Sequence, residues 1–181
     1  AYLRPGFAFG GSCLPKDVRA LSYFARHKDL DIPVVQNVLS SNVATIDRVF
    51  QRILATGARK VGLYGLSFKT NTDDLRESPQ VRLVELLLGK GIKVRILDDY
   101  IRPERLTGAN KQYIDEHIPH MMELLVHDFG ALESFADLIV IAHRTAVSEA
   151  WAASRRKETP VLDLARLPGL VGAENVTGAS W

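Results

Sequence analysis

The chain has 181 residues, 46% of them hydrophobic and 24% charged, with 23 Lys and Arg against 21 Asp and Glu. That apolar content and a net charge of +2 exclude a disordered chain, and no basic run or stripe offers a nucleic-acid footprint. A single cysteine excludes an internal disulfide scaffold and suits a reducing, cytoplasmic setting, while no apolar run nears the roughly 20 residues that cross a bilayer.

The opening residues read as a loop and not as a secretory signal. From Arg4 to Pro15, three glycines and two prolines forbid regular structure. Pro15 suits the first position of a helix, and Leu21, Phe24 and Ala25 follow at helical spacing until Asp29 to Asp31 break it. A longer helix is expected from Pro33, with Val34, Val38, Val43, Ile46, Val49, Phe50 and Ile53 recurring every three or four residues and Gly57 as its stop. At roughly 24 residues it would run about 35 Å. So small a neighbourhood cannot cover that length, which implies contact with another chain or domain.

From about residue 58 strand and helix signals alternate. Strands are expected at 60–66, 92–97, 136–142 and 160–164, with a short edge strand at 175–177, and an amphipathic helix at 79–88 ended by Gly89 and Gly91. This alternation predicts an α/β fold: a long helix region over 1–57, then a doubly wound, Rossmann-like parallel sheet over 58–181.

Two segments carry chemistry. In Phe9-Gly10-Gly11-Ser12-Cys13-Leu14-Pro15-Lys16-Asp17 the glycines expose backbone N–H groups, and Cys13 precedes a helix N-terminus that favours a thiolate. Lys16 adds a cation and Asp17 a carboxylate within the same turn, which suits covalent catalysis. These residues alone leave open a second reading, a small buried cysteine beside a glycine turn. The other segment, Leu66 to Pro79, lies where the first strand gives way to the first helix of the sheet region, the edge at which open α/β sheets bind ligands. Ser78 can cap the helix begun by Pro79, with Lys69 and Arg76 as cations at that edge. Spacing alone favours a solvated charged loop there. Gly62-Leu63-Tyr64-Gly65 is not a dinucleotide fingerprint, and His117, His120, His127 and His143 form no metal-ligand pattern. Trp151 and Trp181 read as packing residues.

Together, Phe9 to Asp17 and Phe68-Lys69-Thr70-Asn71-Thr72-Asp73-Asp74-Leu75-Arg76-Glu77-Ser78-Pro79 resemble the two signatures of the UDP-glucose/GDP-mannose dehydrogenase family, in order and separation. The resemblance implies the end of a central domain, a dimer-forming long helix and a C-terminal nucleotide-sugar-binding domain. It also implies NAD-dependent, four-electron oxidation of a sugar C6 alcohol to a carboxylate. By the same resemblance Cys13 is the nucleophile and Asp17 the acid organising protons and water. Lys16 and Arg76 would contact NAD. Tyr2, Arg4, Phe7, Gly10 and Lys69 would contact the sugar nucleotide, Arg4 across a homodimer interface. The wording of Arg4-Pro5-Gly6-Phe7-Ala8-Phe9 and Leu14 is nearest to members that oxidise GDP-mannose to GDP-mannuronate, an alginate-type precursor. The alternatives are a fragment of a UDP-glucose-oxidising member and a nucleotide-sugar-binding module without chemistry. The family's N-terminal glycine fingerprint and its oxyanion-stabilising lysine and asparagine are not found in these residues. The chain therefore reads as a C-terminal piece, expected not to turn over substrate by itself.

Overall fold

A computed structural model of the chain describes residues 6–101 and 108–179. Cys13 caps the first helix, α1 (Leu14–His27), which begins one residue before Pro15; the missing proline N–H falls in the first turn, where no helical partner exists. The long helix expected after Pro33 forms in two pieces, α2 (Pro33–Gln36) and α3 (Val38–Ala55). They meet at Asn37, whose side-chain amide donates to the Pro33 carbonyl at 2.8 Å while its backbone N–H reaches the same oxygen at 3.1 Å. The Asn37 side chain thus competes for a helical acceptor at the break, and the ladder resumes at once from Ser41 N–H to Asn37 O. Gly57, with φ of +75°, ends the helix in the left-handed region that glycine adopts without a Cβ penalty.

Only the C-terminal half of α3 is covered. Ile46, Val49, Phe50 and Ile53 point inward at three- and four-residue spacing and join the core of the sheet region. Val34 and Val43 are exposed, as are Leu21, Tyr23 and Phe24 of α1. This uncovered stretch is the one for which the sequence demands another surface.

Five strands follow: β1 (Lys60–Tyr64), β2 (Lys93–Leu97), β3 (Leu138–Ile141), β4 (Val161–Asp163) and β5 (Val176–Gly178), each inside or within a residue of its expected span. All pair in parallel, in the order β2-β1-β3-β4-β5. The connection through α4 (Pro79–Gly89) leads from β1 to β2, and the chain then returns across β1 to β3. The direction therefore reverses between β1 and β3. Loops leaving those two strands diverge there and open a crevice at the carboxyl edge.

Both faces of the sheet are buried, which explains strands read as nearly continuous apolar runs. Val61, Leu63, Val94, Ile96, Leu138 and Val140 pack with α3 and α4 on one face. Tyr64, Ile139, Ile141 and Val161 pack with Leu132 and Trp151 on the other. There Tyr64, Phe129 and Trp151 stack in series, with ring centroids 4.8 and 4.7 Å apart.

Between β2 and β3 lie elements without a sequence signal: α5 (Gly108–His117), a 3-10 turn (Pro119–Leu124) and α6 (Phe129–Phe135). α5 offers little apolar periodicity; Ile114 is its buried anchor. The segment after the 3-10 turn meets the free edge of β2 near its end, with Val126 N–H donating to the Ile96 carbonyl at 2.8 Å. Helix α7 (Ala146–Ser154) starts from a reciprocal box in which the Thr145 and Ser148 side chains each satisfy the other's backbone N–H. No helix among the described residues is long and apolar enough to cross a membrane.

Candidate active site

The loop bearing Cys13 is built by glycines that let backbone press on backbone. A Cβ on Gly10 would lie 2.2 Å from the Glu77 carbonyl oxygen and 2.9 Å from Pro79 Cδ. One on Gly11, whose φ is +85°, would lie 2.8 Å from the Phe68 ring. Gly11 N–H also donates to the Arg76 carbonyl at 3.1 Å. Two segments more than 50 residues apart are thus held face to face. From the other side Asn42 of α3 clamps Phe9, accepting from its N–H at 3.0 Å and donating to its carbonyl at 2.8 Å. Arg19 of α1 grips Glu77 with two bonds of 2.8 and 2.6 Å, although at this exposure solvent screens the pair and it adds little stability. The pair holds the Glu77 carboxyl below the usual carboxylate range, through the Arg19 hydrogen bond first and its charge second.

Gly10→Ala therefore has no room that a side-chain rotation could supply, because the obstacle is backbone. The expected result is undocking of the Cys13 loop and a loss of about 1–3 kcal/mol, read as a lower urea midpoint at unchanged slope. An unchanged midpoint would show that the loop does not depend on this contact.

Cys13 is exposed and lines a cavity of about 450 Å³ with Ala8, Phe9, Gly10, Gly11, Ser12, Phe68 and Lys69. It occupies the N-cap of α1 without using its side chain as a cap, and its sulfur lies 3.9 Å from the Ser12 hydroxyl. Asp17 follows one turn later on the same face of α1, with its carboxylate exposed and 3.9 Å from the Lys16 ammonium. Arg76 is set by Asp74, which receives its Nε and a terminal nitrogen at 2.8 and 2.7 Å. That fork holds the Asp74 carboxyl below its ordinary range and the guanidinium above its own, and charge on Cys13, when present, adds to the latter. Arg76 and Cys13 are therefore electrostatic neighbours.

A second cavity, of about 300 Å³, opens at the sheet edge where the chain reverses between β1 and β3. Phe7, Ala8, Phe68, Lys69, Gln80, His143, Arg144 and Ala165 contribute to its wall. Phe68 and Lys69 belong to both cavities, with the Lys69 ammonium 5.2 Å from the Phe68 ring centre. Among the expected residues, then, Cys13 and Gly10 stand at the first cavity, Phe7 at the second and Lys69 at both. Lys16 and Asp17 follow Cys13 within the first turn of α1, and the charge of Arg76 is coupled to that of Cys13. Phe7 is largely buried and offers the second cavity only part of its ring. Tyr2 and Arg4 lie outside the described residues.

Three contributors are not among the residues expected from the sequence. Asp98, at the end of β2, is 2% exposed, and its carboxylate accepts from the N–H groups of Leu66 (2.7 Å), Ser67 (3.3 Å), Tyr100 (2.8 Å) and Ile101 (3.2 Å). It shapes the turn that delivers Phe68 and Lys69. Gln80 and His143 are nearly buried polar side chains at the sheet-edge cavity. A carboxylate directly after an apolar strand was the available sign for Asp98. Nothing local marks the other two, because their partners lie on other elements. Among the described residues no three His, Cys, Asp or Glu side chains gather as a metal site. Ser78 caps α4 as its position suggests, accepting from Val81 N–H at 3.4 Å and donating to the Leu66 carbonyl at 2.6 Å.

Residues 62–166 match the UDP binding domain of the UDP-glucose/GDP-mannose dehydrogenase family, and residues 1–44 match that family's central domain. The GDP-mannose 6-dehydrogenase of Pseudomonas syringae pv. syringae is 46% identical over 163 residues, 90% of this chain and 37% of its own length. That of Azotobacter vinelandii is 43% identical over 180 residues, 99% of this chain and 41% of its own. A crystal structure of a ternary complex of GDP-mannose dehydrogenase from Pseudomonas aeruginosa superposes with a TM-score of 0.91 at 42% identity, covering 99% of this chain and 41% of that one. A UDP-glucose dehydrogenase from Pyrobaculum islandicum does so at 0.79 and 28% identity, over 97% and 39%. The chain thus spans about two fifths of the length of the relatives it matches. With both signatures docked on each other and both domains matched in order, the chain belongs to the UDP-glucose/GDP-mannose dehydrogenase family.

Proposed function

We propose that this chain supplies the thiol loop, the long helix and the nucleotide-sugar-binding domain of an NAD-dependent GDP-mannose 6-dehydrogenase. The carrying observation is the pair of adjoining cavities that share Phe68 and Lys69, one lined by Cys13 and the other at the sheet's reversal point. A nucleotide sugar laid across them puts its nucleotide at the sheet edge, its diphosphate beside Lys69 and its sugar at the sulfur. The GDP-mannose enzymes among the relatives support mannose and guanine over the UDP-glucose alternative. The division near residue 57, a homodimer through the long helix and a cytoplasmic, alginate-type biosynthetic role belong to the same proposal.

The residues fit only the edge of an NAD site. Lys16 and Arg76 are cations beside Cys13 for an anionic cofactor. The sheet has no glycine cradle for a dinucleotide: the His143 ring fills the space above Gly65, and Pro79 gives the start of α4 no N–H. When bound, two NAD molecules in turn would each accept one of the two hydrides that leave C6. Cys13 does the covalent work between them. Its thiolate adds to the C6 aldehyde, forming a carbon–sulfur bond in a thiohemiacetal. At the thioester stage water attacks the carbonyl carbon, the carbon–sulfur bond breaks, and the uronate leaves with Cys13 restored. Asp17, one turn away, handles the proton of the attacking water.

Calorimetric titration of the chain with GDP-mannose and, separately, UDP-glucose tests the assignment. The expected result is saturable binding of GDP-mannose at least about tenfold tighter than UDP-glucose. Preference for UDP-glucose would move the chain to that branch of the family. Binding of both ligands with Cys13 left fully reactive to alkylation would favour a nucleotide-sugar-binding module without chemistry.

A further inference from the structure

His143 sits at the end of β3, 6% exposed, in the wall of the sheet-edge cavity. Its ring lies on Gly65, whose φ is +91°; a Cβ there would come within 2.4 Å of His143 Cγ. One face of the ring is thus fixed by backbone. Nε2 lies 2.9 Å from the Ser67 carbonyl oxygen. A carbonyl only accepts, so Nε2 carries the ring proton and Nδ1 is the bare nitrogen of the neutral ring. Nδ1 stands 4.0 Å from Asp98 Oδ2, beyond hydrogen-bond reach, and that oxygen already serves the N–H groups of Leu66 and Ser67.

The anchored carbonyl belongs to the residue before Phe68. Ser67 is itself fully buried, and its hydroxyl donates to the Lys69 carbonyl at 2.8 Å. One side chain from β3 therefore grips the backbone that aims Phe68 at Gly11 and Lys69 at both cavities. We infer that His143 is a positioning residue for the nucleotide sugar, acting as the neutral Nε2–H tautomer to hold the Phe68–Lys69 step between nucleotide pocket and thiol loop. Its ligand rests on the reading given above, whereas its tautomer and its grip on Ser67 do not.

The charged and titratable groups around the ring set the pH response. Asp98 and Asp99 follow β2, Lys69 leaves β1, Arg144 is the next residue and shares the cavity wall, and Asp163 ends β4 with its carboxylate turned to the N–H groups of Ala165 and Leu167. Burial, the largest influence, holds the imidazole below its ordinary value against the pull of Asp98 and the Ser67 bond. Because the folded state binds the proton less readily than the unfolded chain, stability is full above about pH 6.5 and falls as pH drops from there through the folded value. Protonation adds an Nδ1–H facing Asp98 Oδ2, in competition with the two amides that shape the turn.

The test has a ligand-free arm and a ligand arm. Nitrogen-15 NMR of the 181-residue chain reads the His143 tautomer and its titration directly. The expected result is the Nε2–H form, titrating below an ordinary imidazole; an Nδ1–H tautomer, or titration at or above the ordinary value of about 6.5, would overturn the inference. His143→Gln places an amide N–H near the Nε2 position and cannot titrate, and His143→Leu removes the donor. In His143→Leu the alkylation rate of Cys13 is expected to change several-fold and the GDP-mannose dissociation constant to rise about tenfold, with His143→Gln near wild type in both and flat in affinity from pH 5.5 to 7.5. Equal rates in all three proteins would refute the grip on the loop. If the wild type binds no GDP-mannose, the substrate reading fails, while the tautomer and the alkylation rates still decide the role of His143.

Discussion

Cys13→Ser is expected to lower uronate formation at least about 1,000-fold in a complete dehydrogenase made by joining this chain to the remaining length of a relative. The reason is specific to the second half of the reaction. In the proposed reaction, oxidation of the C6 alcohol needs no thiol, but the aldehyde must be held as a covalent adduct before a second hydride can leave. A serine hydroxyl beside Arg76 and Lys16 is far less acidic than a thiol and forms that adduct poorly. The measurement is the ratio of reduced NAD to sugar consumed. Two per sugar is the wild-type expectation, and a stall at one or fewer is expected for the variant. An undiminished rate at two per sugar would remove Cys13 from the chemistry.

The largest expected loss of stability belongs to Asp98→Ala. Four backbone N–H groups converge on this one buried carboxylate, two on each oxygen. Alanine leaves them facing a gap without an acceptor, at a penalty of about 3–5 kcal/mol. Asp98→Asn keeps one acceptor oxygen but turns an NH2 towards the other pair, so roughly half that loss is expected. Urea denaturation of the three proteins gives the comparison, and a loss below about 1 kcal/mol for alanine would contradict the account. The effect reaches the site because Leu66 and Ser67 begin the turn that ends in Phe68 and Lys69.

Much of this fold is legible in the sequence because its strands are buried on both faces. Val61 to Tyr64, Val94 to Leu97 and Leu138 to Ile141 are apolar runs bounded by turn residues, and alternation with helical segments leaves a parallel sheet as the economical solution. Ser78 followed by Pro79 announces its helix for reasons wholly local to those residues. The break at Asn37 is less legible, since it depends on whether a side-chain amide turns back on Pro33 or outward to water. Residues 108–135 stay silent for a different reason. Ile114 and Met121 are single anchors in polar surroundings, and what orders them is the β2 edge they cover.

The site divides along the same line. Cys13, Lys16, Asp17, Lys69 and Arg76 are chemically conspicuous residues in conspicuous segments; Cys13 and Lys69 line the adjoining cavities, while Lys16 and Asp17 stand in the first turn of α1. The docking that makes this possible is carried by Gly10 against Glu77 and Gly11 against Phe68, contacts between segments that spacing alone does not relate. His143 and Asp98 are less visible still. Each acts through hydrogen bonds to backbone on a different strand, and their residue types carry no instruction about which carbonyl or amide they will meet.

The most direct test of the central claim is a crystal structure of the chain grown with GDP-mannose. The account predicts the nucleotide at the edge between β1 and β3, the diphosphate within reach of Lys69, and mannose C6 about 3–3.5 Å from the Cys13 sulfur. A nucleotide bound elsewhere, or a sugar directed away from Cys13, would contradict it.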